Sequence, residues 1–148
     1  MKKKTFILSF ISVAIIGGLW FGFNEYNRKV KDLADVEAQI TMQTNELIKA
    51  FEKDEKSANI QYLDKIIAVK GNVKTIEKDD RGNYSIVLGD NGSMSSVRCS
   101  MDSVHAKDVA SIKEGVDVIV KGACTGFNSD ELLGSDVILN RCVLESSK

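Results

Sequence analysis

Three cysteines and one histidine are the side chains here with the plainest claim to redox, nucleophilic or metal chemistry: Cys99, Cys124, Cys142 and His105. Three thiols can form one disulfide and leave one over, can ligate zinc, or can lie buried as small apolar groups. No Cys-x-x-Cys pair occurs, and the histidine falls on a helical stretch away from the thiols, so no metal centre is expected. His105 has Asp102 three residues before it and Asp108 three after. At that spacing a histidine–acid pair reads as a surface contact on a helix. There is no glycine-rich phosphate loop and no nucleophile motif. The acids of "DD" at 79–80 read as turn residues. No catalysis and no cofactor is expected of this chain.

The elements that must position these residues are announced by a repeated phrase. "IIAVKGNV" at 66–73 and "DVIVKGAC" at 117–124 are nearly the same eight residues. In the first, Ile67, Val69, Gly71 and Val73 alternate with Lys70, Asn72 and Lys74, which is the period of a strand. "KDDRGN" at 78–83 is a turn, 84–90 a second strand, and "NG" at 91–92 a hairpin signal. A third strand over 93–101 puts Val97, Cys99 and Met101 on one face. Residues 102–115 return to helical spacing, with Asp102 or Ser103 as N-cap and Gly115 as the stop. Fourth and fifth strands follow at 116–124 and 135–145, with a loop over 125–134. Three meandering strands, a helix and two more strands make the OB-fold, a five-stranded Greek-key barrel. In that order the two copies of the phrase are antiparallel neighbours that close the barrel. The expected core is Ile67, Val69, Val73, Ile86, Leu88, Val97, Val118, Val120, Val137 and Leu139, with Lys70 and Lys121 pointing outward.

The alternation leans all three thiols inward. They can be buried free, or an oxidising compartment can join two of them. The third and fifth strands are neighbours, so register favours Cys99–Cys142, with Cys124–Cys142 as the alternative.

Of 148 residues, 43% are hydrophobic, which suits one domain with an appendage. Lys2, Lys3 and Lys4 precede Thr5–Phe23, nineteen residues without a charge. As a helix that run would span roughly 28 Å, about a bilayer core. It reads as a single uncleaved membrane anchor, with the lysines on the cytoplasmic side and the rest outside. A cleaved signal is the alternative, with Ser12-Val13-Ala14 as its cleavage site. Residues 1–4 are then a cytoplasmic tail, 5–23 the transmembrane anchor, 24–60 a stalk or packing helix, and 61–148 the OB domain. The helix rests on Val30, Leu33, Val36, Ile40, Leu47, Ile48 and Phe51, whose spacing is helical from Arg28 to Lys56. Beyond residue 23 the remaining 17 basic side chains face 21 acids, a net −4.

Ala58 and Tyr62, "KIIAVKGNV", "VRC", "GVDVIVKGACTGF" and "VILNRCVL" together resemble the tRNA-anticodon-like family of bacterial OB-fold proteins. The resemblance covers about Val36 to Leu144. It implies an exported or membrane-anchored OB domain, often a lipoprotein, whose biochemical role is open. This chain departs from the lipoprotein pattern, because no cysteine lies near the end of its apolar run. Its layout is also similar to the haem chaperone of cytochrome c maturation, but the ending "NRCVLESSK" lacks that protein's haem-attaching histidine and tyrosine.

OB barrels bind ligands across the second and third strands and the adjoining loops. Here that surface would hold Tyr84, Arg98 and Phe127, with Lys70 and Lys74 on the first strand. A single-strand nucleic-acid binder needs a basic groove and exposed aromatics, whereas this part is net −4 and offers few aromatics besides Tyr84 and Phe127. The reading is a membrane-tethered binding module for a protein or envelope glycan. An oligonucleotide is the competing ligand.

Overall fold

The computed structural model describes residues 32–130 and 132–145, with Gly17, Gly18 and Trp20, which are helical. The chain divides into the units Met1–Lys31 and Asp32–Lys148. Apart from those three residues, the expected anchor at Thr5–Phe23 lies outside the described residues. Among the described residues no helix is long and apolar enough to cross a membrane.

The second unit contains strands β1 (Ile40–Gln43), β2 (Ile66–Lys78), β3 (Tyr84–Leu88), β4 (Ser96–Met101), β5 (Asp117–Asp130) and β6 (Gly134–Glu145). Their sheet order is β1-β2-β3-β4-β6-β5, and β2 also pairs with β5. That last pairing closes β2 to β6 into the expected five-stranded barrel. The repeated phrases meet in it as antiparallel neighbours, with Val69 opposite Val120 at the middle of a ladder from Ile66–Ala123 to Asn72–Asp117. Nine of the ten expected core residues are fully buried. Val118 is the exception: it is half-buried and packs on the core near the start of β5.

The helical reading of Arg28–Lys56 holds over Thr44–Lys53 and fails in the described residues before it. Leu33–Asp35 is a 3₁₀ turn, Ile40–Gln43 is β1, and α1 (Thr44–Lys53) and α2 (Glu55–Tyr62) follow. The first half of β2 has β5 along one edge, while β3 pairs only with residues 73–78. Its other edge is therefore open, and β1 fills it as a parallel strand, Ile40 opposite Ile67 through Gln43 opposite Lys70. Asp54, in extended conformation, ends α1 and caps α2 by accepting from the Ser57 backbone N–H at 3.0 Å. Leu47, Ile48 and Phe51 do keep their helical spacing, and with Ala58 and Tyr62 they bury into the barrel core.

Two more readings change. The expected loop at 125–134 is largely strand, because β5 continues to Asp130 and pairs with β6 down to Asp130–Gly134. The expected helix at 102–115 shrinks to a 3₁₀ turn (Ser103–His105) and one α turn, α3 (Ala106–Val109). Val109 is buried and Ile112 packs beside the core, but Val104 is 77% exposed, so the apolar spacing overstated the helix.

The glycines of the repeated phrase make room inside the barrel. A Cβ on Gly71 would overlap Oγ1 of Thr44, the buried first residue of α1, whose hydroxyl donates to the Lys70 carbonyl at 3.1 Å. A Cβ on Gly122 would overlap Cys142 Sγ and come within 3.2 Å of Leu139 Cβ. Overpacking of this kind costs about 1–3 kcal/mol. Gly122→Ala should therefore lower unfolding stability in urea by that amount. Adding Cys142→Ala should recover part of the loss. A double variant no better than the sum of the singles would show that the overlap with sulfur is not the cause.

Candidate ligand-binding face

The outer face of β3, β4 and β6 is the surface on which an OB barrel usually receives its ligand. Arg98 stands at its centre, opposite Val87 of β3 and Ile138 of β6. Its guanidinium is 2.6 Å from Glu77 of β2 and 3.8 Å from Asp136 of β6. Asp136 also accepts from the buried Ser96 hydroxyl. The face therefore carries a cation between two carboxylates, with Ser85 and Ser100 alongside. Glu77 and Asp136 are what sequence reasoning missed. Each has one apolar neighbour, Ile76 or Val137, but only the strand register reveals that both reach Arg98.

The other expected site residues do not join Arg98. Phe127 stacks on Phe51 of α1, with centroids 5.0 Å apart, so it belongs to the core. Tyr84 shares the inward parity of Ile86 and Leu88, packs beside the core, and has the Lys78 ammonium over its ring at 5.1 Å. Lys74 donates to the Ser93 carbonyl at 2.6 Å and so pins the β3–β4 connection. Lys70 is exposed as expected and lines a cavity of about 630 Å³ with Ile112, Val118, Leu144, Asp117 and Glu145. That cavity is mixed in charge and lies off the Arg98 face. The β2–β3 turn at one rim is held by Asp79, which accepts from Asn83 and Arg81. Its hydrogen bonds with Asn83 hold its carboxyl below the ordinary carboxylate value.

Cys99, Cys124 and Cys142 are all fully buried, as the alternation implied, and all three are free thiols. Burial, and then the hydrogen-bonded Cys99 thiol beside it, hold Cys142 well above the ordinary thiol value. Burial pushes Cys124 up to about 11. Such thiols stay protonated near neutrality and are poor nucleophiles. Among the described residues no group of three ligands is placed to hold a metal ion. His105 contacts Asp108 as expected, while Asp102 instead accepts from the Val104 backbone N–H at 3.1 Å. The histidine's second partner, Asp32, lies 73 residues away in sequence.

A closed five-stranded barrel with this strand order and a helical turn between its third and fourth strands is an OB fold. The pattern of the tRNA_anti-like family matches residues 1–143, and the chain belongs to that family. No curated protein matches it by sequence. A Klebsiella pneumoniae lipoprotein to which nucleic-acid binding has been ascribed has a similar structure, with TM-score 0.57 and 18% identity over 80% of this chain and 100% of that one. A Leishmania major chain ascribed to aspartyl-tRNA synthetase matches at TM-score 0.45 and 13% identity, covering 78% of this chain and 22% of its own. Asparaginyl-tRNA synthetase from Pyrococcus horikoshii matches at TM-score 0.38 and 15% identity, over 57% of this chain and 20% of its own.

Core and surface roles separate by stability. Phe127→Ala should cost about 1–3 kcal/mol of unfolding free energy, below a fully buried phenylalanine because the ring is only half-buried. Arg98→Ala should cost under about 1 kcal/mol, as exposed ion pairs do. Chemical denaturation of the two variants checks both. In reduced protein at mildly alkaline pH, all three thiols should alkylate far more slowly than in the denatured chain.

Proposed function

We propose that the chain is a non-enzymatic binding module, tethered to the bacterial inner membrane and facing outward, which takes a protein or envelope glycan on the outer face of β3, β4 and β6. The observation that carries this reading is Arg98 set between Glu77 and Asp136. A polyanion would meet both carboxylates on approaching the guanidinium. A hydrogen-bonding ligand meets donors and acceptors of both signs. The aromatic rings a base would need are engaged as well, Phe127 against Phe51 and Tyr84 under Lys78. The uncharged run behind three lysines supports the tether and its orientation.

An oligonucleotide is the second reading. It is favoured by the family's likeness to anticodon-binding domains and by the binding ascribed to the Klebsiella lipoprotein. Salt separates the two, because phosphate contacts release counterions and weaken steeply as salt rises. With full-length protein in detergent, a labelled single-stranded oligonucleotide should bind no tighter than nonspecifically, about 10⁻⁴–10⁻⁶ M. An envelope partner retained by wild type should be lost with Arg98→Glu. Oligonucleotide binding at nanomolar strength that falls steeply with salt would reverse the assignment. A reporter active only after export, fused behind Lys148, should be active. A reporter active only in the cytoplasm, if it works there, would overturn the orientation.

We further propose that export joins Cys99 to Cys142. The two thiols give up two protons and two electrons to a disulfide-bearing oxidant, which is reduced to a dithiol. Protein isolated from the envelope under non-reducing conditions and then denatured should take up one alkylating group. Uptake of three would exclude the bridge.

A further inference from the structure

The single histidine, its helical neighbour Asp108 and the distant Asp32 form an arrangement that the ligand reading does not use. His105 Nε2 lies 2.9 and 3.1 Å from the two oxygens of Asp32, and Nδ1 lies 3.3 Å from Asp108 Oδ2. A neutral imidazole has one N–H and one lone pair, so in either tautomer one nitrogen would present its lone pair to a carboxylate oxygen. Only the imidazolium donates on both sides. The geometry is that of a charged ring bridging two acids.

Asp32 is also the start of a strap. Its Oδ1 accepts from the Ala34 backbone N–H at 2.9 Å and opens the 3₁₀ turn Leu33–Asp35. That turn packs against β5 and β6 with Leu33 buried. Beneath this side of the barrel lie Lys121 and Val143, which are paired across β5 and β6 and buried although they face away from the interior. The Lys121 ammonium reaches the Ala34 carbonyl at 3.4 Å and Glu145 at 3.2 Å. The far end of the strap is fastened differently. The Gln39 N–H donates to the Ile66 carbonyl, the Ile66 N–H donates to the Gln39 side chain, and β1 follows.

We propose that Asp32, His105 and Asp108 form a pH-operated clasp that holds residues 32–38 over β5 and β6. The groups facing the ring are Asp32 from the strap and Asp108 from α3. Asp102, on the ring's own turn, is engaged with the Val104 N–H, and Arg141 of β6 adds positive charge beside Asp32. The hydrogen bond His105 donates to Asp32, and to a lesser degree Asp108, raises His105 above its ordinary 6.5. Its contribution is therefore complete below 6.5 and is lost as pH rises through the raised value. Asp32 is lowered from 3.8, first by the Ala34 backbone N–H and then by His105. Its contribution is complete above 3.8 and is lost as pH falls through the lowered value. The clasp is thus shut in mild acid and loosens on the alkaline side, where Arg141 still steadies Asp32 but the bridge to Asp108 is gone. Loosening frees Leu33 and uncovers Lys121, while β1 keeps the strap attached.

The test uses full-length protein in detergent micelles. Because His105 is the only histidine, its ring can be titrated by NMR without assignment. Its midpoint should lie above 6.5 and should fall in Asp32→Asn. Amides of residues 34–38, corrected for intrinsic rate, should exchange about tenfold faster near pH 8.5 than near pH 5.5, while those of β2 and β5 keep their protection. In His105→Gln they should exchange fast at both. A midpoint unmoved by Asp32→Asn, or strap exchange unchanged between the two pH values in wild type, overturns the clasp.

Discussion

The pairing of β2 with β5 is the constraint on which the rest of this barrel depends. It converts a sheet with edges into a closed wall, and it is centred on two valines, Val69 and Val120, that are both fully buried. Closure curves the strands, so interior volume is scarce where they cross. The glycine two residues beyond each valine answers that scarcity. Gly71 admits Thr44 and so lets α1 begin against the barrel. Gly122 admits Cys142, which in turn places that thiol beside Cys99. A short phrase written twice therefore sets the closure, seats the covering helix and gathers two of the three sulfur atoms.

Charge is handled on the surface with the same economy. Arg98, Lys74, Lys78 and Lys121 each have a partner within the chain: a carboxylate, a carbonyl or a ring. The Arg98 and Lys78 contacts are exposed, and each adds little to stability. Only Arg98 and Lys121 are offset by carboxylates; Lys74 and Lys78 keep their charge and are held in place by a carbonyl and a ring. Lys121 differs because it is buried. A lysine there would be costly without Glu145 and the Ala34 carbonyl, so the strap and the end of β6 are tied to the identity of one outward-facing residue.

The barrel was legible because its signals are local. Alternation identified Ile67, Val69, Val97, Val120 and Leu139 as interior, and the order of elements identified the OB topology. The thiols followed from the same parity. What was not legible depended on partners far away in sequence. Leu33, Val36 and Ile40 have helical spacing, yet an open edge on β2 takes Ile40 into a strand, and no feature within residues 28–43 records that edge. Phe127 stood out as an aromatic in a polar stretch, but its neighbour is Phe51, 76 positions earlier. Tyr84 and Lys74 were correctly placed on strands, and it was their partners that could not be foreseen. His105 pointed to its helical neighbour Asp108, and nothing in the spacing could point to Asp32.

The distant contacts also narrow where a ligand could dock. The outside of a five-stranded barrel is too apolar here to be left open all round: Ala68, Val87 and Val143 all face away from the interior. The strap packs against β5 and β6, and β1 occupies the free edge of β2. The surface of β3 and β4 with the start of β6 carries Ser85, Ser100, Arg98 and Asp136 around the apolar Val87 and Ile138. A polar surface on a fold this small is inexpensive to keep in water and costly to bury without matching partners. Any ligand that covers it must therefore replace the hydrogen bonds and ion pairs that Arg98, Glu77 and Asp136 already make.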